Sequence, residues 1–262
     1  MSVSIPTLIL CGGLGTRLRE ETEYRPKPMV EVGGRPLLWH IMKMYASQGH
    51  TEFILLAGYR GEVIKQYFLN YEALRRNFTV TLGTRPEIEY HGAHGDEQWR
   101  ITIVDTGAET MTGARIKRAA EFIKADRFMV TYGDGVADVN FAALMDAHVR
   151  SGRRATVTGV RPPSRFGELV VEGDRVVEFN EKPQMYQGFI NGGFFVFERA
   201  VLDYLREDAD CVLEQEPLER LAGEGQLGVY RHQGFWQCAD TYRELQFLNK
   251  LWDSGTAPWK RW

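Results

Sequence analysis

The chain has 262 residues, of which 44% are hydrophobic and 26% are charged, and its formal net charge is −3. This length is enough for one large α/β domain, and the composition is ordinary for a globular protein. The small net charge gives no reason to expect a general electrostatic hold on nucleic acid or on an anionic membrane. No apolar run approaches the roughly 20 residues that a membrane-spanning helix needs, so we expect neither partner.

The cysteine content and the N-terminal residues predict a cytoplasmic protein. Cys11, Cys211 and Cys238 are odd in number and far apart in the sequence, which disfavours a disulfide framework and fits a reducing compartment. Residues 1–6 lack the basic and long apolar regions of a secretory signal.

In the first third of the chain, predicted strands and helices alternate. The apolar run 7–10 predicts a short buried strand, and residues 36–48 carry apolar side chains at helical spacing. Residues 53–57 are typical of a buried parallel strand, and the apolar spacing over residues 61–71 predicts a second amphipathic helix. This alternation predicts a parallel sheet with helices on both faces.

The rest of the chain continues with more varied elements. We predict half-exposed strands at 79–82 and 87–90, buried strands at 101–104 and 128–131, and helices after residue 111 and at 141–149. Further on, the pattern predicts a strand at 155–160, a hairpin of 168–171 with 175–179, a glycine-interrupted strand at 189–197, a helix at 212–221 with an acidic solvated face, a strand at 227–230 and a helix at 242–252.

A glycine loop directly after the first predicted strand is the most informative stretch. Gly12, Gly13 and Gly15 let the backbone approach a ligand closely, so that several N–H groups converge on one anion. Arg17 adds a positive fork suited to phosphate. Lys27 follows between two prolines, which stiffen the backbone on both sides of it. Together these residues predict a phosphate site.

Other glycine loops do not fit this sequence. A dinucleotide fingerprint requires a third glycine where Leu18 stands, and a Walker loop closes with Gly-Lys-Ser/Thr, whereas this loop closes with Thr16 and Arg17. A plain glycine turn is the remaining alternative, and the nearby Arg17 and Lys27 disfavour it.

Two further charged residues, Asp134 and Arg115, have two readings each from the residues alone, and Asp240 has one. Asp134 follows the predicted strand 128–131 and is either a ligand of a hard cation such as Mg²⁺ or part of a plain Asp-Gly turn. Its place beside a phosphate loop favours Mg²⁺. Arg115 opposes the dipole of its helix, and spacing alone leaves a phosphate contact and an exposed arginine equally open. Asp240 reads as the N-cap of the helix at 242–252.

The motifs resemble those of one enzyme family. Gly12-Gly-Leu-Gly-Thr-Arg-Leu18 followed by Lys27-Pro-Met29 is similar to the signature of sugar-1-phosphate nucleotidylyltransferases, and Glu181-Lys-Pro183 and Gly192-Gly-Phe-Phe195 resemble its later motifs. The resemblance runs nearly end to end. It is strongest, in stretches such as Thr131-Tyr-Gly-Asp-Gly-Val-Ala-Asp138, to members that use CTP and glucose 1-phosphate. Cys11 replaces the family's commoner alanine, a small-for-small change.

The resemblance implies a fold, a reaction and partners. The fold would be α/β, a Rossmann-like, mixed and mostly parallel sheet with helices on both faces and a small C-terminal strand and helix extension. Residues 1–262 would form one domain, in which 1–150 mainly bind the nucleotide and 151–262 mainly bind the sugar phosphate. The expected reaction is Mg²⁺-dependent cytidylyl transfer by direct attack of the sugar phosphate, in a homo-oligomer. The family expectation for the product is a dideoxysugar or O-antigen route.

The resemblance also assigns roles to individual residues. The implied catalytic residues are Arg17, Lys27 and Arg115, and the implied metal ligands are Asp134 and Asp240. The implied nucleotide-binding residues are Leu10, Cys11, Gly12, Gly13, Leu14, Gly15, Thr16, Thr106, Gly107, Met111, Thr112 and Gly113. The implied sugar-phosphate-binding residues are Tyr132, Gly133, Glu181, Lys182, Asn191 and Gly192.

Two alternatives stay open at this point. The same chemistry can use another nucleotide or phosphorylated acceptor, for example dTTP or UTP. A non-catalytic subunit that senses a sugar nucleotide is the other alternative. Such a subunit can dispense with Lys27, Asp134 or Asp240, and all three are present here with Arg17, which disfavours it.

Overall fold

The computed structural model describes residues 5–92, 97–161, 168–172, 175–180 and 188–262. The strands are β1 (Thr7–Leu10), β2 (Glu31–Val32), β3 (Arg35–Pro36), β4 (Glu52–Ala57), β5 (Phe78–Thr81), β6 (Glu87–Tyr90), β7 (Arg100–Asp105), β8 (Arg127–Tyr132), β9 (Gly135–Ala137), β10 (Ala155–Val160), β11 (Glu168–Glu172), β12 (Arg175–Asn180), β13 (Ile190–Glu198), β14 (Leu227–Arg231) and β15 (Trp236–Cys238). The α-helices are α1 (Arg19–Thr22), α2 (Leu37–Ala46), α3 (Gly61–Leu69), α4 (Thr112–Arg118), α5 (Phe141–Ser151), α6 (Glu216–Gly223) and α7 (Tyr242–Asp253).

Seven of these strands form a central sheet in the order β14-β10-β13-β8-β1-β4-β7. Strands β7, β4, β1 and β8 are parallel neighbours, and β10 pairs in parallel with β14. Among the described strands of this sheet, only β13 runs antiparallel to its neighbours. The mixed, mostly parallel sheet that we predicted is therefore confirmed.

The core has two layers because alternate side chains of a strand point to opposite faces of the sheet. Ile9 and Met129 belong to one buried cluster, which also contains the apolar face of α2. Leu8 and Val130 belong to a second cluster on the other face, which includes Ile116 of α4. Helices thus cover both faces of the sheet, as the continuous apolar strands require.

The carboxyl ends of the parallel strands meet along one edge of the sheet. The glycine loop leaves β1 there, Thr106 follows β7, and Gly133 follows β8. The antiparallel β13 begins at the same edge, because Asn191 pairs with Gly159 at the far end of β10. Ligands of open α/β sheets bind at such an edge, and the predicted site residues gather there.

The structure corrects two predictions about helix ends. The helix expected at 212–221 begins only at Glu216, with Pro217 in its first turn, where a missing N–H costs no hydrogen bond. Asp240 is not the N-cap of α7. Thr241 is the N-cap, and its side chain and that of Glu244 form a reciprocal capping box.

The aromatic C-terminal segment, residues 257–262, packs on the core. The Trp259 side chain is 1% exposed and stacks between the rings of Phe235 and Trp252. The Trp259 indole donates a hydrogen bond to Nδ1 of His40 over 3.4 Å. In the described part of the chain, no helix combines the length and apolar character needed to cross a bilayer.

Candidate active site

A cavity of about 300 Å³ opens at the carboxyl edge of the sheet, between the glycine loop, the start of α4 and the end of β8. Most of the predicted site residues line it, from the nucleotide, catalytic, sugar and metal sets alike: Leu10, Cys11, Gly12, Gly13, Gly15, Thr16, Lys27, Met111, Thr112, Arg115, Tyr132, Gly133, Asp134 and Asp240. The structure therefore brings together residues that are as much as 230 positions apart, from Leu10 to Asp240.

Lys27 lies at the centre of the charged part of this cavity. Its Nζ donates to Oδ2 of Asp134 at 2.7 Å and to Oδ1 of Asp240. The lysine side chain is only 12% exposed. Burial disfavours the ammonium, but the two carboxylates outweigh this effect and hold the pKa of Lys27 above its ordinary value. The cavity thus holds a permanent positive charge beside two carboxylates.

The same two carboxylates fit a magnesium ion. Mg²⁺ prefers hard oxygen ligands and is often held by one or two carboxylates together with substrate phosphates and water. Asp134 and Asp240 both reach the Lys27 ammonium, so their oxygens converge on one small region. Among the described residues, no group of three or more His, Cys, Asp or Glu side chains is placed to hold a metal alone. The donor set therefore suits a cation shared with a phosphate ligand.

Arg115 also lines this cavity and is held in another way. Its guanidinium is 3% exposed. Nη2 donates to the Gly12 carbonyl at 2.9 Å, and Nη1 donates to Thr106 Oγ1 and to the Gly107 carbonyl, each at 2.7 Å. A Cβ on Gly12 would overlap this guanidinium, so a larger residue there would displace Arg115 from its present position. Arg115 is thus buried and hydrogen-bonded to the protein, and it is not an exposed surface arginine.

Some predicted residues lie outside this cavity. Leu14 points to solvent and is 50% exposed. Thr106 and Gly107 stand behind Arg115 as its hydrogen-bond acceptors, and Gly113 packs tightly against Cys211. Arg17 has its backbone in a short 3-10 turn after the loop, and its side chain is outside the described part of the chain. Glu181 and Lys182, both predicted to bind the sugar phosphate, fall outside the described residues.

A smaller cavity of about 30 Å³ adjoins the main one on the side of β13. Asn191 and Gly192 line it, together with Trp236. Tyr132 and Asp134 line both cavities, so the Tyr132 side chain lies at the boundary between them. The Trp236 indole donates to the Gly192 carbonyl at 2.7 Å and fixes the start of β13.

Neither cysteine near the site has the character of a nucleophile. Burial raises the pKa of Cys11 far above its ordinary value, and burial, with the nearby carboxylates, raises the pKa of Cys238 to about 12. Both side chains are therefore protonated thiols at neutral pH. The site is built for charge neutralisation and positioning.

Sequence reasoning missed several residues around the two cavities. Pro28 and Thr110 line the main cavity, and Trp236 lines the small one. Glu214, which we assigned to a solvated helix face, accepts hydrogen bonds from Tyr132 and Thr112. The Pro28 contact follows from its place next to Lys27, but no local pattern marks the other three.

Comparison with known proteins identifies the class. The family model described as "Nucleotidyl transferase" matches residues 6–236, which is most of the chain. The chain belongs to this nucleotidyl transferase family. It is 49% identical over 257 residues to glucose-1-phosphate cytidylyltransferase of Salmonella typhi, covering 97% of this chain and 98% of that protein.

A second relative and a solved structure widen the comparison. The mannose-1-phosphate guanyltransferase of Neurospora crassa is 31% identical over 237 residues, covering 87% of this chain and 59% of that protein. The crystal structure of HddC from Yersinia pseudotuberculosis superimposes with a TM-score of 0.70 at 21% identity, covering 95% of this chain and 99% of that one. This likeness shows that the fold is shared.

Proposed function

We propose that this protein is a glucose-1-phosphate cytidylyltransferase, which uses Mg²⁺ and transfers the cytidylyl group of CTP to α-D-glucose 1-phosphate. The products are CDP-glucose and pyrophosphate. The observation that carries the proposal is the lysine held between Asp134 and Asp240 in the cavity beside a glycine loop. The choice of CTP and glucose is supported by 49% identity to the Salmonella typhi enzyme, against 31% to a guanyltransferase.

The reaction needs charge neutralisation and alignment more than covalent catalysis. An oxygen of the sugar phosphate attacks the α-phosphorus of CTP, a new P–O bond forms, and the bond to pyrophosphate breaks. The two reactants are both highly anionic, so positive charge and in-line positioning supply most of the acceleration. No protein nucleophile is required, in keeping with the protonated thiols of Cys11 and Cys238.

Each wall of the cavity has a task in this proposal. The N–H groups of the glycine loop and the Arg17 side chain hold the triphosphate. Lys27 neutralises charge that develops at the α-phosphate. Arg115 adds its charge from behind the loop, where Gly12, Thr106 and Gly107 hold it.

Asp134 and Asp240 would hold the Mg²⁺ ion. When bound, such an ion neutralises charge on the phosphate oxygens.

The substrates' outer groups would meet the remaining predicted residues. Backbone groups of Leu10 to Gly12 and residues at the start of α4 would hold the base, together with Thr106 and Gly107. Tyr132, Gly133, Asn191 and Gly192 lie on the side of the cavity that we assign to the sugar phosphate. Glu181 and Lys182 are assigned there by the family motif alone.

We also propose that the protein forms a homo-oligomer. The hairpin of β5 and β6 carries several exposed apolar side chains, with Phe78, Val80 and Ile88 each more than 40% exposed, and Leu82, in the connection between the two strands, is 82% exposed. Exposed apolar groups concentrated on one hairpin are typical of a contact surface. Sedimentation analysis of the protein and of Leu82→Lys would test this, and an unchanged monomer in both would contradict it.

Pyrophosphate release tests the main proposal directly. The assay would use glucose 1-phosphate and Mg²⁺ with CTP, UTP, dTTP, ATP and GTP in turn. We expect release with CTP and its loss in EDTA. Release with dTTP or UTP instead would keep the mechanism and overturn the base assignment. Silence with all five nucleotides and with other phosphorylated acceptors would favour a binding-only protein.

A further inference from the structure

A hydrogen-bonded relay spans the boundary between the two cavities. Asn191 Nδ2 donates to Tyr132 Oη at 3.1 Å, and Tyr132 Oη donates to Glu214 Oε1. The other oxygen of the same carboxylate, Oε2, accepts from Thr112 Oγ1 at 2.7 Å. The Glu214 carboxylate therefore connects Thr112, which we predicted to bind the nucleotide, to Tyr132 and Asn191. Both of these were predicted to bind the sugar phosphate.

Glu214 is held in place by the segment that carries it, residues 209–214. Its carbonyls at Ala209 and Cys211 accept from Met111 N at 2.8 Å and from Ala114 N at 3.1 Å, at the start of α4. Leu213 N donates to Thr112 Oγ1 at 2.9 Å. This segment is therefore tied to the N-terminal turn of α4 by backbone bonds, and Glu214 reaches from it across to the end of β8.

Two neighbours, Gly193 and Glu214, determine where the Tyr132 side chain lies. Gly193 has φ of +81°, and a Cβ at that position would overlap the Tyr132 ring, so a glycine leaves the space that the ring fills. Burial raises the pKa of Tyr132 well above its ordinary value, and the Glu214 carboxylate raises it further. The phenol therefore stays protonated, and its hydroxyl donates a hydrogen bond to the Glu214 carboxylate.

We propose that Glu214 is a positioning residue that fixes Tyr132 at the boundary between the main cavity and the smaller one on the side of β13, and so sets the affinity for the sugar phosphate. This inference rests on the proposed function. It assigns to Glu214 no contact with substrate, only the placement of Tyr132, which lines both cavities.

The two ends of the relay differ in how much they depend on Glu214. Without this carboxylate, Thr112 Oγ1 still accepts from Leu213 N. The Tyr132 hydroxyl keeps only the bond that it receives from Asn191, and its own proton loses the acceptor seen among the described residues. Loss of Glu214 should thus disturb the acceptor side more than the nucleotide side.

Steady-state kinetics of Glu214→Ala and Glu214→Gln would test this, with each substrate varied at saturation of the other. We expect the Glu214→Ala KM for glucose 1-phosphate to rise about tenfold and that for CTP less than about threefold, the size of one lost charged hydrogen bond. Glu214→Gln should show a smaller rise, because its amide oxygen can accept from Tyr132. The matched control is Glu219→Gln, an exposed carboxylate on α6.

A double-mutant cycle with Tyr132→Phe identifies the path of the effect. Without the phenolic hydroxyl, Glu214→Ala should change the KM for glucose 1-phosphate by less than about twofold. Unchanged KM values in both Glu214 variants would overturn the proposal. So would equal effects with and without the hydroxyl, or KM values that rise together for both substrates in variants with lowered melting temperatures. If the parent and Glu219→Gln are themselves inactive with CTP and glucose 1-phosphate, the proposed function fails instead.

Discussion

Lys27 and Arg115 are two largely buried cations that line one cavity, and the protein holds them with different kinds of acceptor. Two carboxylates from different loops surround Lys27. Arg115 is surrounded by neutral oxygens of Gly12, Thr106 and Gly107, and among the described residues no carboxylate lies within ion-pair distance of it. The two carboxylates can bind another cation in place of the Lys27 ammonium. The carbonyls around Arg115 belong to the backbone and have fixed positions. The difference fits the proposed roles, in which Lys27 serves the reaction, and it shows that Arg115 bridges the glycine loop and the β7–α4 loop.

The largest effect should come from Lys27→Ala. Removing one preorganised charge from a buried site typically costs about 10²–10³ in kcat. The fold should survive, because Lys27 lines the cavity and belongs to neither apolar cluster. Steady-state assays of pyrophosphate release measure the loss, with Lys65→Ala, an exposed lysine on α3, as the control. Turnover near the parent rate would remove Lys27 from the catalytic set.

Arg115→Met should affect stability as well as rate. The substitution keeps much of the side-chain volume but removes the donors that bridge the glycine loop and the β7–α4 loop. Losing hydrogen bonds from a buried charged donor should lower the free energy of unfolding by about 2–3 kcal/mol. Urea unfolding measures this, and Arg150→Met on the exposed face of α5 is the control. An inactive variant with parental stability would instead indicate that Arg115 acts only on the triphosphate.

A third buried basic group, His40, lies far from the cavity and is kept neutral. Its Nε2–H donates to the Val32 carbonyl at 2.8 Å, while Nδ1 accepts from Trp259. Burial lowers the pKa of His40 to about 4 from the ordinary 6.5. Below pH 6.5 the unfolded chain therefore binds a proton that the folded chain refuses, so stability falls as the pH falls toward 4.

The resulting loss should be about 2 kcal/mol in the free energy of unfolding between pH 7 and pH 5. Urea unfolding at the two pH values measures it in the parent and in His40→Gln. The variant should lose less stability on acidification, because glutamine does not titrate. Equal losses in both proteins would show that other groups cause the acid sensitivity.

Sequence patterns predicted most of the sheet because its strands are buried on both faces. A strand such as β4 is a continuous apolar run, and α2 and α3 show the helical period on one side. The helix at the acidic segment was placed four residues too early. Its carboxylates at Glu214, Glu216 and Glu219 are exposed, as predicted, and Glu214 also accepts hydrogen bonds from Tyr132 and Thr112.

The site was partly predictable for a related reason. Parallel strands carry their carboxyl ends to one edge, so Gly12 and Asp134, which follow two of these strands, were expected to meet there. The contacts of Arg115 and Glu214 were not predictable. Arg115 binds backbone oxygens, which every residue possesses, and Glu214 lies 82 residues from Tyr132 in the chain. Such contacts depend on the tertiary fold and leave no local pattern.

The smallest expected effect is the loss of stability in Thr241→Ala, which we contrast with substitution of the adjacent Asp240. Thr241 caps α7, with its side chain accepting from Glu244 N, so Thr241→Ala should cost about 1 kcal/mol of stability and leave the rate near the parent value. Asp240→Asn should do the reverse, because this carboxylate contacts Lys27 and is not the cap. Unfolding and kinetic measurements on both variants would test the division. If Asp240→Asn destabilises the protein as much as Thr241→Ala and keeps its rate, then Asp240 belongs to the helix end and the carboxylate pair around Lys27 has no part in the chemistry.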